Sequence, residues 1–414
     1  MSRNVVVTGL GIVSPIGNTV DETFASLKEG KCGIGPITHY DTTDRKVKLA
    51  GEVRDLDLTQ YIDKRDIRKM DRFTHLAVSA AVQAIRDAGI TEPTGEEPFN
   101  ERGRWGVIIA SGIGGIGTLE TEMENGQKKG FDRVSPFFIP KTISNMAGGH
   151  VAIRYGLHGM CSCTVSACSS AANAIGDAFR HIRDGYGDLM VCGGAEAAVT
   201  TLSIGGFTSL KALTTESNLE RASIPFDKER SGFVMGEGAG ILVLEEEEHA
   251  KVRGAKIYGR MVGYGATCDG YHMTAPLPSG EGAAACMKQA LADAGLTPAD
   301  IDYINAHGTS TPLNDSGETI AIRKAFGAEA DRLKVSSTKS MTGHLLGASA
   351  AVEAVITMLA VYHDFLPPTI HYQVPDEECD LDIVPNQGYD YPIRAAMSNS
   401  LGFGGHNVSL VFAK

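Results

Sequence analysis

The chain has 414 residues, of which 38 are Lys or Arg and 50 are Asp or Glu, for a formal net charge of −12. That acidity excludes general nucleic-acid binding, which needs a strongly positive face, and the length exceeds what one core ordinarily holds, so two fused subdomains are expected. No apolar stretch approaches the ~20 residues of a membrane span, Met1-Ser2-Arg3-Asn4 carries no charged-then-apolar leader, and the eight cysteines follow no framework spacing, so a cytoplasmic protein with reduced thiols is expected.

The first predicted element is a strand beginning Val5-Val6-Val7. Thr8-Gly9-Leu10-Gly11 then imitates a dinucleotide-binding loop, but Ser14-Pro15 replaces the third glycine and discourages a helix. Lys64-Arg65-Asp66-Ile67-Arg68-Lys69, with Arg72 one turn beyond, is the best basic patch for an acidic partner, and Lys128, Lys129 and Arg133 form a second. Such runs are more often simply solvated helix faces. Gln83 to Ile90 reads as an amphipathic helix closed by Gly89, and Gly106 to Gly112 as a buried strand. Gly112-Ile113-Gly114-Gly115-Ile116-Gly117 matches GxGxxG literally, yet no clear helix, strand and acidic ribose ligand follow in order, so no dinucleotide site is expected.

Thr164-Val165-Ser166-Ala167-Cys168-Ser169-Ser170-Ala171 passes from β-branched to small residues and then into a helical pattern through Ala178, Ile182 and Gly185. A thiol at a helix N-terminus meets unpaired N–H groups and the positive end of the macrodipole, which favour the thiolate. Cys168 is therefore a candidate nucleophile for acyl chemistry. For a lone cysteine, packing at a strand-helix junction is the commoner explanation, and only the histidine motifs downstream reverse it. The Cys161-x-Cys163 pair lacks partners at a zinc spacing.

Gly240 to Leu244 and the acidic run Glu245 to Glu248 close the first half, and Ile257 to Val262 open the second. No Pro/Ser-rich linker intervenes, so the halves should pack tightly. Gln289 to Leu296 then echoes Gln83 to Ile90 about half a chain later, again followed by a buried strand, Tyr303-Ile304-Asn305, which indicates a duplicated βα unit. Asn305-Ala306-His307-Gly308-Thr309-Ser310-Thr311-Pro312 puts a histidine directly after that strand, in a loop small enough for a ligand to approach. Val335 to His344 adds Lys339 and a second histidine beside an apolar helix, Leu345 to Leu359. Glu353 inside that helix would be costly unpaired, and Lys339 is its natural partner, catalytic or merely structural. In Asn399 to Asn407 a glycine-rich loop can aim an N–H at a developing oxyanion, while Phe403 between glycines is free to swing as a gate. GxSxG and Walker A sequences are absent, which removes the commonest serine hydrolase and P-loop readings.

SACSSA around Cys168, NAHGTSTP around His307, SSTKSMTGHLLGA around His344 and NSLGFGGHN around Phe403, in this order over essentially the whole chain, resemble the β-ketoacyl-[acyl-carrier-protein] synthases. NAHGTST and GHLLGA make the chain more similar to the elongating type II synthases than to type I. The resemblance implies an α/β thiolase fold: two duplicated βαβαβαββ halves, residues 1–255 and 256–414, in five α-β-α-β-α layers, usually as a homodimer.

The same resemblance implies a function in fatty-acid elongation. Cys168 takes the acyl group, the N–H groups of Cys168 and Phe403 form the oxyanion hole, and His307 and His344 stabilise the enolate left when malonyl-carrier thioester loses carbon dioxide. Lys339, paired with Glu353, holds His307 and the local field. Thr309 and Thr311 bind the pantetheine arm, Ile113 lines the acyl pocket, and Gly402 and Gly404 flank the substrate beside the gate. No metal or redox cofactor is required. The implied partner is acyl carrier protein, docking on Arg68, Lys69, Arg133 and Lys211. His406 departs from the threonine common at its position. A polyketide-type ketosynthase subunit that keeps its cysteine is the stronger alternative. A coenzyme A thiolase, which typically has a second cysteine where this chain has His344, is the weaker.

Overall fold

Ten strands carry the architecture: β1 (Val5–Val13), β2 (Trp105–Ala110), β3 (Cys161–Ser162), β4 (Leu189–Glu196), β5 (Gly238–Glu246), β6 (Gly259–Cys268), β7 (Tyr303–Asn305), β8 (Lys334–Ser336), β9 (Ala395–Gly402) and β10 (His406–Ala413). The structure, a computed structural model, describes residues 3–95 and 102–414, so Met1 and Ser2 of the expected leaderless terminus lie outside the described residues. The strands form one hydrogen-bonded series, β8-β7-β9-β10-β6-β1-β5-β4-β2-β3. Its two arms have the same plan. From the outer end, β3-β2-β4 and β8-β7-β9 are parallel, and β5-β1 and β10-β6 continue antiparallel. They meet where Val5, Val6 and Val7 pair with Met261, Arg260 and Gly259.

Six helices fill the layers: α1 (Arg72–Asp87), α2 (Met146–Tyr155), α3 (Ser170–Arg183), α4 (Glu281–Ala294), α5 (Pro312–Phe326) and α6 (Ser349–His363). Each half therefore runs βαβαβαββ. α1 and α2 cover the outside of the first arm, α4 covers the outside of the second with α5 packed on it, and α3 and α6 lie between the arms, touching both. The layers are α-β-α-β-α, with three hydrophobic cores between them. Helix α6 is mostly apolar around its circumference because it lies between the two arms and against α3, with Glu353 a buried charged exception. With the turn before it, Leu346–His363 is long and apolar enough to cross a membrane by length and composition, contrary to the expectation of no such stretch, but most of it is buried in the central layer.

The repeat in the sequence has a physical cause. Gln83 and Asp87, one turn apart on α1, accept the N–H groups of Ile12 and Leu10 at 3.4 and 2.9 Å. Gln289 and Asp293 on α4 accept those of Ala266 and Tyr264 at 2.9 and 3.0 Å. Each outer helix is thereby pinned to its strand so closely that a Cβ at Gly11 would lie 1.9 Å from Ala80 O, and one at Gly265 2.2 Å from Cys286 O. Close helix packing, not a phosphate, explains the glycines after Thr8.

Helices α3 and α6 also begin alike. A 3-10 turn, Ala167–Ser169 or Leu346–Ala348, opens on a residue of positive φ, 52° at Ala167 and 47° at Leu346. The helix then starts at a serine whose hydroxyl accepts an N–H from four residues back: Ser170 from Ser166 at 2.8 Å, Ser349 from Leu345 at 2.7 Å. One expectation fails nearby. A helix, Ile116–Lys129, does follow the GxGxxG match, its polar, largely exposed face having masked it in the sequence.

Candidate active site

Cys168 occupies the turn that leads into α3 and is 8% exposed. Ser170 donates to Ala167 O at 2.6 Å, which secures the left-handed Ala167, and Ser400 on β9 donates to Cys168 O at 3.0 Å. Ser169 donates to Ser400 O and His406 O, both at 3.1 Å, tying the turn to both arms of the β9–β10 hairpin. The hairpin loop thus comes to rest over the sulfur, with the N–H groups of Phe403 and of Cys168 itself facing it. The expectation of a resting thiolate is corrected here. Burial pushes the Cys168 thiol up to about 11, outweighing Lys339 and the Phe403 N–H, which favour the charge, while Glu196 opposes it.

His307 lies two residues after β7 in a loop that Glu318 on α5 fixes, accepting the His307 N–H at 2.9 Å and the Gly308 N–H at 2.8 Å. His344 follows the helical turn Lys339–Thr342; its N–H donates to Val234 O at 2.7 Å and its Nδ1 lies 2.8 Å from Ser349 Oγ. The two imidazoles are 5.2 Å apart between centroids and nearly perpendicular, at 88°. Both are held well below the usual imidazole range, by burial first and then by Lys339. Lys339 and Glu353 form the expected buried ion pair. Burial pushes the carboxyls of Glu353 and Glu318 up to about 7, against the pull of Lys339 on the first and of the Gly308 and His307 N–H groups on the second.

A cavity of about 420 Å³ joins these groups, lined by Cys168, His307, His344, Thr309, Thr311 and Phe403 among others. Thr309 and Thr311 share a hydrogen bond of 2.9 Å between their hydroxyls, and the Phe403 ring lies 6.2 Å from that of Phe207. Gly402 lines the cavity. Gly404 is exposed, adopts φ 87°, and its N–H donates to Met273 O at 2.8 Å, so it shapes the loop from outside. Ile113 does not line this cavity: its loop is held by Glu196 behind the nucleophile turn and leaves the side chain 37% exposed. His406 pairs across the hairpin with Gly402 and keeps its backbone contact with Ser169, so the loop holds its form without threonine.

Of the basic candidates, Lys211 stands at the cavity mouth and Arg68 and Arg133 are exposed, while Lys69 is paired with Asp66 at 2.6 Å. Arg72 is withdrawn from the patch by Glu237, which it grips through Nε at 2.7 Å and through a second nitrogen at 2.5 Å. Glu318, Ser349 and Ser400 were not among the sequence candidates. For Ser349 and Ser400 the only sequence signal is a polar residue on an otherwise packed element, and Glu318, on the polar helix α5, has none.

The β-ketoacyl synthase N-terminal domain family matches residues 2–250 and the β-ketoacyl synthase C-terminal domain family residues 258–373. A Synechocystis protein, 3-oxoacyl-[acyl-carrier-protein] synthase 2, is 53% identical over 415 residues, covering 100% of this chain and 98% of that protein. A Staphylococcus aureus protein of the same name is 50% identical over 418 residues, covering 100% and 99%. Among solved structures, a type II polyketide ketosynthase in complex with its acyl-carrier protein superposes with TM-score 0.90 at 36% identity, and a β-ketoacyl synthase from Burkholderia phymatum with TM-score 0.90 at 35%, each covering 100% of both chains.

Proposed function

The chain belongs to the β-ketoacyl synthase family, and from that premise we propose how its residues carry out the condensation that lengthens a fatty acyl chain by two carbons. The Cys168 thiol attacks the carbonyl of an acyl-carrier thioester, passing its proton on as the carrier thiol leaves, and keeps the acyl group as a new thioester. The N–H groups of Cys168 and Phe403 hold the tetrahedral oxyanion. Malonyl-carrier thioester then loses carbon dioxide. The bond electrons form an enolate whose oxygen is held by Nε2–H groups of the two neutral histidines, and its carbon attacks the acyl-cysteine. The 3-oxoacyl thioester stays on the carrier, and the departing Cys168 thiolate takes a proton from solvent.

One observation carries this reading: His307 and His344, 5.2 Å apart, share a cavity with a cysteine whose sulfur faces the Phe403 N–H. The histidines act as donors or on water rather than as proton-abstracting bases, because decarboxylation itself generates the carbanion. Lys339 and Glu353 are assigned to holding the field that keeps both imidazoles neutral, and Thr309 and Thr311 to the pantetheine arm. Relatives named 3-oxoacyl-[acyl-carrier-protein] synthase 2 reach 50–53% identity over the full length, against 36% for the polyketide ketosynthase, which supports fatty-acid elongation over the polyketide reading. His344 stands where a thiolase would need its second cysteine.

The proposal extends to an acyl carrier protein as partner, residues 1–255 and 256–414 as the two halves, a homodimer, and a cytoplasmic location. Mass spectrometry after incubation with acyl-carrier thioester tests the core of it. The acyl mass should appear on the peptide containing Cys168 and be missing in Cys168→Ala; acylation elsewhere, or none, would sink the assignment.

A further inference from the structure

Strand β4 ends on Glu196, which is fully buried and takes four donors from two separate segments. One carboxylate oxygen, Oε1, accepts the Ser111 hydroxyl at 2.8 Å and the Ile113 N–H at 3.2 Å. The other, Oε2, accepts the Gly112 N–H at 2.8 Å and the Gly347 N–H at 3.1 Å. Three of these donors lie on the loop after β2 and the fourth in the turn before α6. Both segments press on the nucleophile turn with no side chain between them. A Cβ at Gly112 would lie 3.6 Å from Ala167 O, and one at Gly347 only 2.3 Å from the Gly112 nitrogen.

A carboxylate here works against the charge that Cys168 must develop, whereas Lys339, the other charged group facing the sulfur, favours it. No neutral isostere could replace it. An amide offers one acceptor oxygen and would turn its NH2 group on two of the four donors.

We propose that Glu196 is a positioning residue for the nucleophile: its one carboxylate fixes the backbone of residues 111–113 and of Gly347 against the Cys168 turn, and so sets the path open to an acyl chain carried on that sulfur. Ile113, whose N–H is one of the four donors, is the apolar side chain on this segment and stands outside the cavity described above. The inference rests on Cys168 being the acylated residue.

The experiment compares wild type with Glu196→Gln, Glu196→Asp and Ser111→Ala, each checked for folding by circular dichroism. It reads acyl transfer to Cys168 from short- and long-chain acyl-carrier thioesters, and iodoacetamide alkylation of Cys168 against pH. In Glu196→Gln, long-chain transfer should fall about tenfold relative to short-chain, as expected when a reacting group is slightly misplaced. Its alkylation profile should also move to lower pH, because a negative neighbour has gone. Glu196→Asp keeps the charge but cannot span both segments, so the chain-length ranking should change without the pH shift. Ser111→Ala should change the ranking in the same direction, more weakly. A uniform loss with all primers, or a wild-type ranking in both Glu196→Asp and Ser111→Ala, overturns the proposal, and these two variants decide it even if Glu196→Gln does not fold. An absence of acyl transfer to Cys168 in the wild type would overturn the underlying reading first, before any variant is compared.

Discussion

Ser349 Oγ lies 2.8 Å from His344 Nδ1 while accepting the Leu345 N–H at 2.7 Å. With the N–H occupying one lone pair, the hydroxyl can give its proton to Nδ1, and in that arrangement the histidine carries its own proton on Nε2, the tautomer that the proposed enolate contact needs. Ser349→Ala releases that tautomer and leaves a buried N–H without its partner. Malonyl decarboxylation should fall about tenfold, matching a loss of ~1.4 kcal/mol, while acylation of Cys168 stays within about twofold. Equal losses in both half-reactions would contradict the assignment.

Cys168→Gln replaces the thiol with a neutral amide while leaving the histidine pair intact. Condensation should be abolished, because no acyl-enzyme forms, yet release of carbon dioxide from malonyl-carrier thioester should persist. Labelled carbon dioxide and 3-oxoacyl product, measured in parallel, separate the two; continued elongation by this variant would remove the nucleophile from the scheme.

Both imidazoles are displaced downward, so each takes a proton only at a lower pH than the ~6.5 of free histidine. Decarboxylation by Cys168→Gln, which has no thiol to titrate, should therefore stay level from about pH 8 to 6.5 and decline only below that. Lys339→Ala removes a positive charge that disfavours protonation, so the decline should move to higher pH. A wild-type-like profile in Lys339→Ala would show that the lysine does not set the field.

Carrier docking should depend more on Arg68 than on Lys69, since Asp66 already neutralises Lys69. Arg68→Glu should raise KM for carrier-bound substrate several-fold with kcat nearly unchanged, and Lys69→Glu should do so less. The wild-type KM should also rise with salt. Steady-state kinetics at two ionic strengths check this, and an indifferent KM in Arg68→Glu would move the docking surface elsewhere.

Much of this was legible in the residues, and the rest was hidden for identifiable reasons. The echo of Gln83 to Ile90 in Gln289 to Leu296 announced the duplication because the Gln and Asp in each copy have a job, accepting strand N–H groups. The Lys339–Glu353 partnership followed from the cost of an unpaired carboxylate in an apolar helix. Glu196, Glu318 and Ser349 gave no comparable sign, because they act on backbone groups or on a ring that only the folded chain brings within reach. Local reasoning about Cys168 identified the position but misjudged its charge: a helix terminus is visible in sequence, while the depth of its burial is not.

The matched turns before α3 and α6 point to a division of labour between two copies of one ancestral piece. Superposing the copies residue by residue puts Cys168 opposite Gly347 and Ser170 opposite Ser349. In the first copy the serine spends its hydroxyl proton on the carbonyl of Ala167, purely as architecture. In the second, the oxygen of the same serine lies 2.8 Å from His344 Nδ1. The first copy carries a sulfur at this position and the second no side chain at all, since even a methyl group there would collide with Gly112. Neither descendant expressed by itself could hold a complete reaction centre, so activity is expected to return only when both are recombined.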